Sequence, residues 1–594
     1  MKTPLTAAYF LVGSTIAIAS VIAPTVFGQA QSTVTANLAE SITARVDSLF
    51  APWNRSDSPG CSLAISQNGA QVYERGYGMA NLELGIAITP ASVFNVGSIS
   101  KTFTAMSILL LAQRGQLSLD DEVRKYITEL PDYGSRLTLR HLLTHTSGLR
   151  SGFRLRELAE PRNDAVDGND AFVAILARQR ALNFTPGTEY EYSNSGYVLL
   201  AIVVKRVSGQ SLREFADSNI FKPLGMTHTH FHDDSYMIVP NRAQGYYRGA
   251  GAFNVAFDYW NMNFGIGGNR GMVGGANLYT TARDLLIWEQ NFVDVHLGEP
   301  ALLAAMQTPA VLTSGETTSY GLGLELGLDR GLRTIGHNGT SSGYGARVVR
   351  YPDQGLTVAL LCNLEGIGTT RLSQGIASIY LADALPAVAA SSPGAVPTSV
   401  SLTAEQLASK VGLYRDPSND ALRQILVRDG KLRVVAGAGT GPGTELTPAS
   451  ANRFLLPGGT GALEFVPAVP SRPQEIHQIS EGQKRVVFQQ VNAFRPSSTE
   501  LLAFTGEYMS PELDVTYTVV IRASGLVIEV PGRAEFLMRP TFTDAFQGVR
   551  VRVPEDNALQ LQAVRFSRDA SGVVTGFTVN AGDVRSLRFD RVKR

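Results

Sequence analysis

Hydrophobic residues recur three or four positions apart in several segments of the chain, which is the spacing of one face of a helix. Helices are predicted on this pattern at residues 36–52 and 367–384. A third helix follows Ser98 and ends near Gly115, where a glycine can close a helix. The apolar positions of this third helix are Phe103, Met106, Leu109 and Leu110.

Shorter apolar runs predict β-strands on both sides of the helix that follows Ser98. Two of them, at residues 60–66 and 70–77, are joined by the tight turn Asn68-Gly69. Further strands are predicted at residues 332–337, 344–351 and 356–363. Residues 120–285 contain mainly helix and loop patterns. The first 385 residues therefore predict an α/β domain with a helical lobe.

The pattern changes beyond residue 400 to short alternating strands separated by turns. Residues 386–400 are rich in proline, alanine and serine, which is typical of a linker. An internal repeat follows with an offset of 94 residues, since Leu407, Gly412, Tyr414 and Pro417 match Leu501, Gly506, Tyr508 and Pro511. Copies of this size predict two antiparallel β-barrel-like domains, at residues 401–497 and 498–594.

The first 30 residues have the pattern of an export signal. Lys2 is followed by an apolar stretch from Leu5 to Phe27, and small residues allow cleavage after Ala30. The pattern predicts a secreted or periplasmic protein whose mature chain begins at residue 31. Retention of the stretch as an N-terminal anchor is the alternative. No other apolar stretch in the sequence is long enough to span a membrane.

The charge balance bears on the classes of partner, and the length bears on the number of domains. The 594 residues carry 52 basic and 52 acidic side chains. This balance gives no reason to expect nucleic acid or an anionic membrane as a partner. A chain of this length is expected to contain more than one domain. The sequence does not indicate an oligomeric state.

Candidate chemistry centres on Ser98 and Lys101, which form a Ser-x-x-Lys motif at the start of the predicted helix. Three residues along a helix make about one turn, so the Lys101 side chain can reach the Ser98 hydroxyl. A serine is a weak nucleophile until a base removes its proton, and a lysine with a depressed pKa can be that base. The ordinary interpretation of the tetrapeptide is an N-cap serine beside a solvated lysine.

Two further motifs give the tetrapeptide its context. Tyr192-Ser193-Asn194 lies in the helical lobe, and His337-Asn338-Gly339 lies beside a predicted strand. The three motifs, in this order, resemble the serine β-lactamase and penicillin-binding superfamily, and most closely its class C β-lactamase-like branch. That branch includes D-aminopeptidases, D-alanyl-D-alanine carboxypeptidases and family VIII esterases. The resemblance covers roughly residues 36–385, with further matching segments at 141–149, 274–285 and 320–324.

The resemblance implies a β-lactamase-like fold for residues 31–385, with an antiparallel sheet flanked by helices, and hydrolysis through an acyl-enzyme. It implies Ser98 as the nucleophile, acid–base work shared by Lys101 and Tyr192, and no metal or cofactor. The backbone N–H groups of Ser98 and Thr340 would form the oxyanion hole. The substrate-binding residues that it implies are Asn194, His337, Asn338, Gly339 and Thr340, and Asn194 would bind either the substrate amide or Lys101.

His337 departs from the family pattern, because many β-lactamases and carboxypeptidases have lysine there. An unperturbed histidine is mostly neutral at pH 7, so a fixed charge for a substrate carboxylate is missing. This favours a small-molecule or peptide substrate without an essential carboxylate at that point, such as a D-amino-acid amide or peptide. An esterase, a β-lactamase or carboxypeptidase, and a non-turnover penicillin-binding or sensor protein are the alternatives.

Two other patterns have ordinary interpretations. Ser341 stands in a Gly-x-Ser-x-Gly pattern, but the nucleophile of an α/β-hydrolase needs a helix after it and a strand is predicted here. His228, His230 and His232 alternate before two aspartates, and we interpret them as a solvated polar loop rather than a metal site.

The resemblance also bears on the cysteines and the tail. Cys61 and Cys362 lie on strands that are neighbours in the family fold, so a disulfide is conceivable. Two buried thiols are nevertheless expected, because a bridge between strands demands particular geometry. Some related D-aminopeptidases carry two C-terminal barrels. By this likeness, we expect the tail to fold separately from the catalytic domain and to limit access to the site.

Overall fold

The computed structural model of the protein describes residues 41–159, 168–234, 236–256, 271–385, 400–439, 441–457, 461–480, 485–530, 535–550 and 561–593. The chain divides into two compact units, Met1–Leu49 and Phe50–Arg594. In the first unit the described residues 41–49 are helical, within the predicted helix at 36–52. The signal peptide and almost all of the linker lie outside the described residues and stay predictions.

A six-stranded antiparallel sheet forms the centre of the domain that precedes the predicted linker and confirms the predicted α/β fold class. In spatial order its strands are Glu325–Asp329, Leu332–Ser341, Tyr344–Tyr351, Leu356–Cys362, Cys61–Gln67 and Ala70–Tyr77. Asn68 and Gly69 have φ angles of 52° and 80°, as the predicted hairpin turn requires. Every residue of the strand Leu356–Cys362 is buried, so the sheet is covered on both faces there.

Helices surround the sheet and form the lobe beside it. They are Ser100–Gln113, Leu139–Leu143, Gly152–Leu158, Gly168–Ala177, Asn194–Ser208, Leu212–Ala216, Lys222–Leu224, Ala282–Gln290, Pro300–Met306 and Thr369–Tyr380. The helix Ser100–Gln113 is buried continuously from its first residue to Leu111, so it runs through the interior of the domain. Within the part of the chain that the structure describes, no helix has both the length and the apolar character needed to cross a membrane.

Cys61 and Cys362 form a disulfide bond. They lie directly opposite each other on neighbouring antiparallel strands, with their Cα atoms 4.0 Å apart. The expectation of two free thiols is therefore wrong. The physical reason is the register, which makes the two cysteines a facing pair with both side chains on one side of the sheet.

The tail contains two antiparallel barrel-like sheets, as predicted. The first has nine strands in the spatial order Thr444–Glu445, Lys431–Ala436, Leu422–Arg428, Gly412–Arg415, Val486–Val491, Glu475–Ser480, Gly461–Val466, Arg453–Leu455 and Thr447–Pro448. The second is a closed barrel of eight strands, Gly506–Ser510, Val515–Arg522, Gly525–Glu529, Phe536–Pro540, Ala545–Arg550, Leu561–Arg568, Val574–Ala581 and Val584–Arg591. A short helix precedes each sheet, Ala404–Ala408 and Ser498–Leu502.

The second barrel packs against the helical lobe, which differs from the separate tail that we expected. Apolar residues of the lobe and of this barrel belong to one continuous hydrophobic core. Arg150 and Glu512 form an ion pair of 2.7 Å across the contact, with side chains only 1% and 6% exposed. The phenol of Tyr517 donates a hydrogen bond of 2.6 Å to the carbonyl of Leu158. The first barrel has an apolar core of its own.

Candidate active site

Ser98 lies in a 3-10 turn that leads directly into the helix Ser100–Gln113. The regular helix therefore begins two residues after Ser98. Gly97 has a φ of 51°, and a Cβ at this position would lie 2.5 Å from the carbonyl oxygen of Thr340. A Cβ on Gly339 would lie 1.9 Å from a backbone oxygen at the start of the same turn. The two glycines thus let the strand pass directly against the turn that carries the serine.

Lys101 is fully buried, and its Nζ atom has three oxygen neighbours. They are Oγ of Ser98 at 3.0 Å, Oδ1 of Asn194 at 2.7 Å and the carbonyl oxygen of Gly275 at 2.6 Å. An amide oxygen and a carbonyl oxygen can only accept hydrogen bonds. A neutral amine can therefore donate its two protons to Asn194 and Gly275 and offer its lone pair to the Ser98 hydroxyl. Burial lowers the pKa of Lys101 well below its usual value, and the charge of Glu325 offsets part of this shift.

Tyr192 completes the group around Ser98. Its ring centroid lies 4.8 Å from Nζ of Lys101, and its phenol is near enough to Ser98 for that hydroxyl to influence the pKa of the tyrosine. Burial raises the pKa of Tyr192 well above its usual value, although the Ser98 hydroxyl acts in the opposite direction. The side chain is therefore a neutral phenol near neutral pH, able to donate a hydrogen bond.

His145 supports Tyr192 from behind. The two rings are 4.2 Å apart, and Nδ1 of His145 accepts a hydrogen bond of 3.0 Å from the backbone N–H of Ser193. Burial lowers the pKa of His145 well below its usual value, and Lys101 lowers it further when that lysine is protonated. A neutral ring is required for this arrangement, since the protonated form would lose the acceptor nitrogen.

His337 is buried, and both of its ring nitrogens are engaged by the protein. Nε2 lies 2.9 Å from the Tyr320 hydroxyl, and Nδ1 lies 2.5 Å from the carbonyl oxygen of Asn338. Because a carbonyl only accepts, Nδ1 carries the proton and Nε2 accepts from Tyr320. Burial also lowers the pKa of His337. The structure thus gives this side chain an internal contact with Tyr320 and also places it in a pocket wall, and its contact with substrate stays a prediction.

A pocket of about 380 Å³ opens beside His337 and Asn338. Nδ2 of Asn338 donates to Oε2 of Glu325 at 2.7 Å, and Nη1 of Arg347 donates to Oδ1 of Asn338 at 2.6 Å. Tyr190 also lines the pocket. The Glu325 carboxylate is 38% exposed, so it is the accessible negative charge of this pocket wall. Glu325 belongs to the strand Glu325–Asp329, which the sequence pattern did not predict.

The structure brings Ser98, Lys101, Tyr192 and Asn194 together and places Thr340 against the serine turn. The carbonyl of Gly275 was missed as a partner of Lys101. Its sequence signal was the glycine pair at residues 274 and 275, which opens the segment 274–285 that matches the family.

The remaining motifs stay apart from this group. Ser341 ends a strand and is followed by a turn and another strand, so it lacks the helix that a nucleophile elbow requires. His230 and His232 contact the ring of Tyr279, and burial lowers the pKa of each to about 4. A solvated loop is therefore the wrong description of these two histidines. Among the described residues, no three His, Cys, Asp or Glu side chains are grouped to hold a metal ion.

The sheet, the helical lobe and the serine–lysine–tyrosine group define a protein of the beta-lactamase and transpeptidase-like superfamily, whose members are serine hydrolases. Residues 38–377 match the family model described as Beta-lactamase, and the chain belongs to this family.

Two curated relatives show how far the similarity extends. Penicillin-binding protein 4* of Bacillus subtilis strain 168 is 28% identical over 317 residues, which are 51% of this chain and 68% of that protein. Protein flp of Staphylococcus aureus strain NCTC 8325 is 28% identical over 320 residues, 52% of this chain and 60% of that protein. A crystal structure of SurE covers 77% of this chain and 100% of its own, with 20% identity and a TM-score of 0.51, which shows a shared fold.

Proposed function

We propose that the protein is a secreted serine hydrolase that cleaves amide or ester bonds through an acyl-enzyme, with D-amino-acid amides or peptides as its preferred substrates. The observation that carries the proposal is the environment of Lys101. Its two acceptor-only partners leave the lone pair of a neutral amine for the Ser98 hydroxyl, 3.0 Å away. Export is proposed from the pattern of residues 1–30.

In the proposed first step, Ser98 Oγ attacks the substrate carbonyl carbon while its proton passes to Nζ of Lys101. The backbone N–H groups of Ser98 and Thr340 stabilise the oxyanion. As the carbon–nitrogen or carbon–oxygen bond breaks, the Tyr192 phenol gives its proton to the leaving group, and the Lys101 ammonium reprotonates Tyr192. Water then attacks the acyl carbon, gives a proton to Lys101, and releases the acid as Ser98 regains its proton.

The preference for amine-bearing substrates is supported by the charges around the pocket. His337 is neutral and buried, so it offers no cation to a substrate carboxylate. Glu325 presents a partly exposed carboxylate that would attract the ammonium group of an amino-acid amide or peptide and repel a carboxylate. Arg347 lies in the same pocket, but its Nη1 is bound to Asn338. An esterase or a β-lactamase is the competing substrate assignment.

Side-by-side turnover of D- and L-amino-acid p-nitroanilides, p-nitrophenyl butyrate and nitrocefin tests the substrate class. We expect the D-amino-acid p-nitroanilide to have the highest kcat/KM of the panel. A higher value for nitrocefin would identify a β-lactamase, and one for the butyrate would identify an esterase.

The nucleophile is tested by Ser98→Ala, with Ser341→Ala as the matched control on the neighbouring strand. We expect Ser98→Ala to abolish both turnover and covalent labelling by a fluorophosphonate, because the Ser98 hydroxyl lies 3.0 Å from Nζ of Lys101, its proposed base. Ser341→Ala is expected to keep both. Labelling that survives in Ser98→Ala would refute the assignment.

A further inference from the structure

Residues 189–193 belong to neither a helix nor a strand and lead into the helix Asn194–Ser208, and the backbone of Ser193 is extended. Alternate side chains of an extended chain point to opposite sides. Tyr190 and Tyr192 lie on the side of the active site. The ring centroid of each is 6.2 Å from that of Tyr320. Glu189 and Glu191 point the other way, towards the second barrel.

Arg585 of the second barrel contacts both of these carboxylates. Its Nη1 lies 3.2 Å from Oε2 of Glu189, and its Nη2 lies 3.0 Å from Oε1 of Glu191. The Arg585 side chain is 13% exposed, so these ion pairs are less screened by salt than pairs on an open surface. The planar guanidinium presents its donors at fixed spacing, which a lysine ammonium does not.

The strand that carries Arg585 is itself fixed to the catalytic domain through its backbone. The N–H of Arg585 donates to Oδ1 of Asn183 at 2.9 Å. Nδ2 of Asn183 donates to the carbonyl oxygen of Asp583 at 2.9 Å and to Oε2 of Glu191 at 2.8 Å. The N–H of Ser151 also reaches the carbonyl oxygen of Asp583, at 3.3 Å. The guanidinium is therefore held in place by main-chain bonds as well as by its own ion pairs.

Glu191 is the residue directly before Tyr192, so its position limits where the tyrosine can lie. The N–H of Glu191 donates to the carbonyl oxygen of His145 at 2.9 Å, on the same histidine whose ring contacts Tyr192. Without Arg585, the carboxylates of Glu189 and Glu191 would stand two residues apart with less compensating charge and would repel each other. The segment would then shift towards water and carry Tyr192 with it.

We propose that Arg585 is a positioning residue for Tyr192, so that the second barrel supplies part of the precision of the active site in the catalytic domain. The inference rests on the proposed function, since it takes Tyr192 as a member of the proton path. A displacement of about 1 Å in a catalytic group can lower the rate about a hundredfold.

The test compares Arg585→Ala, Arg585→Lys and Arg588→Ala in the full chain. Arg588 is a matched control, because it lies on the same strand, is 70% exposed and pairs with Asp590 at the surface. For Arg585→Ala we expect kcat to fall about ten- to hundredfold with KM within about twofold. Arg585→Lys should recover part of the loss, and Arg588→Ala should match the wild type. Fluorophosphonate labelling of Ser98 should become slower in Arg585→Ala but still reach the stoichiometry of the wild type, which a loss of folded protein would not allow.

The route through Tyr192 is tested by adding Arg585→Ala to Tyr192→Phe. If Arg585 acts by positioning the Tyr192 side chain, Arg585→Ala lowers kcat much less in the Tyr192→Phe protein than in the wild type. Losses that multiply, or an unchanged kcat in Arg585→Ala, overturn the inference while leaving the proposed function intact. If Arg585→Ala does not fold, Arg585→Gln decides in its place, because it keeps a long polar side chain and removes the charge that the two carboxylates share, and a wild-type kcat there overturns the inference. A wild-type protein with neither turnover nor Ser98 labelling rejects the proposed function, and this inference with it.

Discussion

Burial moves the pKa values of Lys101 and Tyr192 in opposite directions. It disfavours the charged form of each group, so it lowers the pKa of Lys101 and raises that of Tyr192. Both shifts favour the neutral side chain. A neutral amine can accept the proton of Ser98 and a neutral phenol can donate a proton to a leaving group, so the two shifts support the separate roles that we propose for Lys101 and Tyr192.

Glu325 adjusts the pH range in which Lys101 is neutral. Its negative charge raises the pKa of Lys101, against the larger effect of burial. Glu325→Gln removes that charge and leaves an oxygen for the hydrogen bond from Asn338. The pKa of Lys101 then falls further, so the neutral base persists to lower pH. We expect the acidic limb of the profile of kcat/KM against pH to move to lower pH, by about one unit or less.

The control for this shift is Glu316→Gln, which removes an exposed carboxylate elsewhere in the domain. Its profile should coincide with that of the wild type. An acidic limb that stays in place, or moves to higher pH, in Glu325→Gln would contradict the influence of Glu325 on Lys101.

Single residues of the site were predictable to different degrees. Ser98, Lys101 and Tyr192 could be identified because their motifs occur in a fixed order along the chain. The contact between Lys101 and the carbonyl oxygen of Gly275 could not be predicted, because every residue has a backbone carbonyl and the sequence shows only that a glycine stands there. The internal contact of His337 with Tyr320 depends on packing, and the spacing of the motif does not encode it.

At the scale of elements, the site depends on the close approach of a strand to the turn that carries Ser98. A Cβ on Gly339 would lie 1.9 Å from a backbone oxygen, a distance that forces the strand away. Gly339→Ala should therefore displace the N–H of Thr340 and lower kcat about a hundredfold, the cost of losing one oxyanion donor. Gly345→Ala on the next strand is the matched control, because its Cβ would meet no atom closer than 3.4 Å.

Steady-state kinetics and the melting temperature of both glycine variants check this prediction. A Gly339→Ala protein with wild-type kcat would show that the strand does not supply the oxyanion donor. Equal loss of activity in both variants would indicate a general effect on the sheet.

Elements were predicted best where the signal is local. The repeat of 94 residues appears in the structure as matching capping boxes, in which Thr403 pairs with Gln406 and Ser497 with Glu500. The tyrosine of each copy donates to the carbonyl four residues earlier, Tyr414 to Lys410 and Tyr508 to Phe504. The disulfide was missed, because it depends on the register between strands that are 301 residues apart in sequence.

At the scale of the whole molecule, the helical lobe and the second barrel are joined by a buried ion pair. Arg150 and Glu512 are both almost fully buried, and Arg150 also donates to Gln179 at 3.0 Å. Arg150→Met leaves Glu512 buried with less compensation. We expect it to lower the free energy of unfolding by roughly 3 to 5 kcal/mol, as when one partner of a buried pair is removed.

Denaturant unfolding of the full chain, followed at more than one wavelength, measures this loss. Arg140→Met provides the control, since Arg140 pairs with Asp120 at the surface of the same lobe and should cost less than about 1 kcal/mol. Similar losses in the two variants would refute a special contribution of the buried pair. The sequence could not predict this ion pair, because the residues around Arg150 and those around Glu512 do not specify which domain the second barrel contacts.

The contact between the second barrel and the lobe also sets an order of events during protein synthesis. Asn183 binds the backbone of Asp583, a residue 400 positions later in the chain. A ribosome needs on the order of half a minute to add that many residues. Throughout this interval Ser98 and Lys101 can come together at the start of their helix. The segment that bears Tyr192 meanwhile lacks the ion pairs with Arg585. If Arg585 positions Tyr192 as we propose, the complete site forms only after the barrel has emerged and folded, and a chain interrupted before that point would be a poor catalyst inside the cell that makes it.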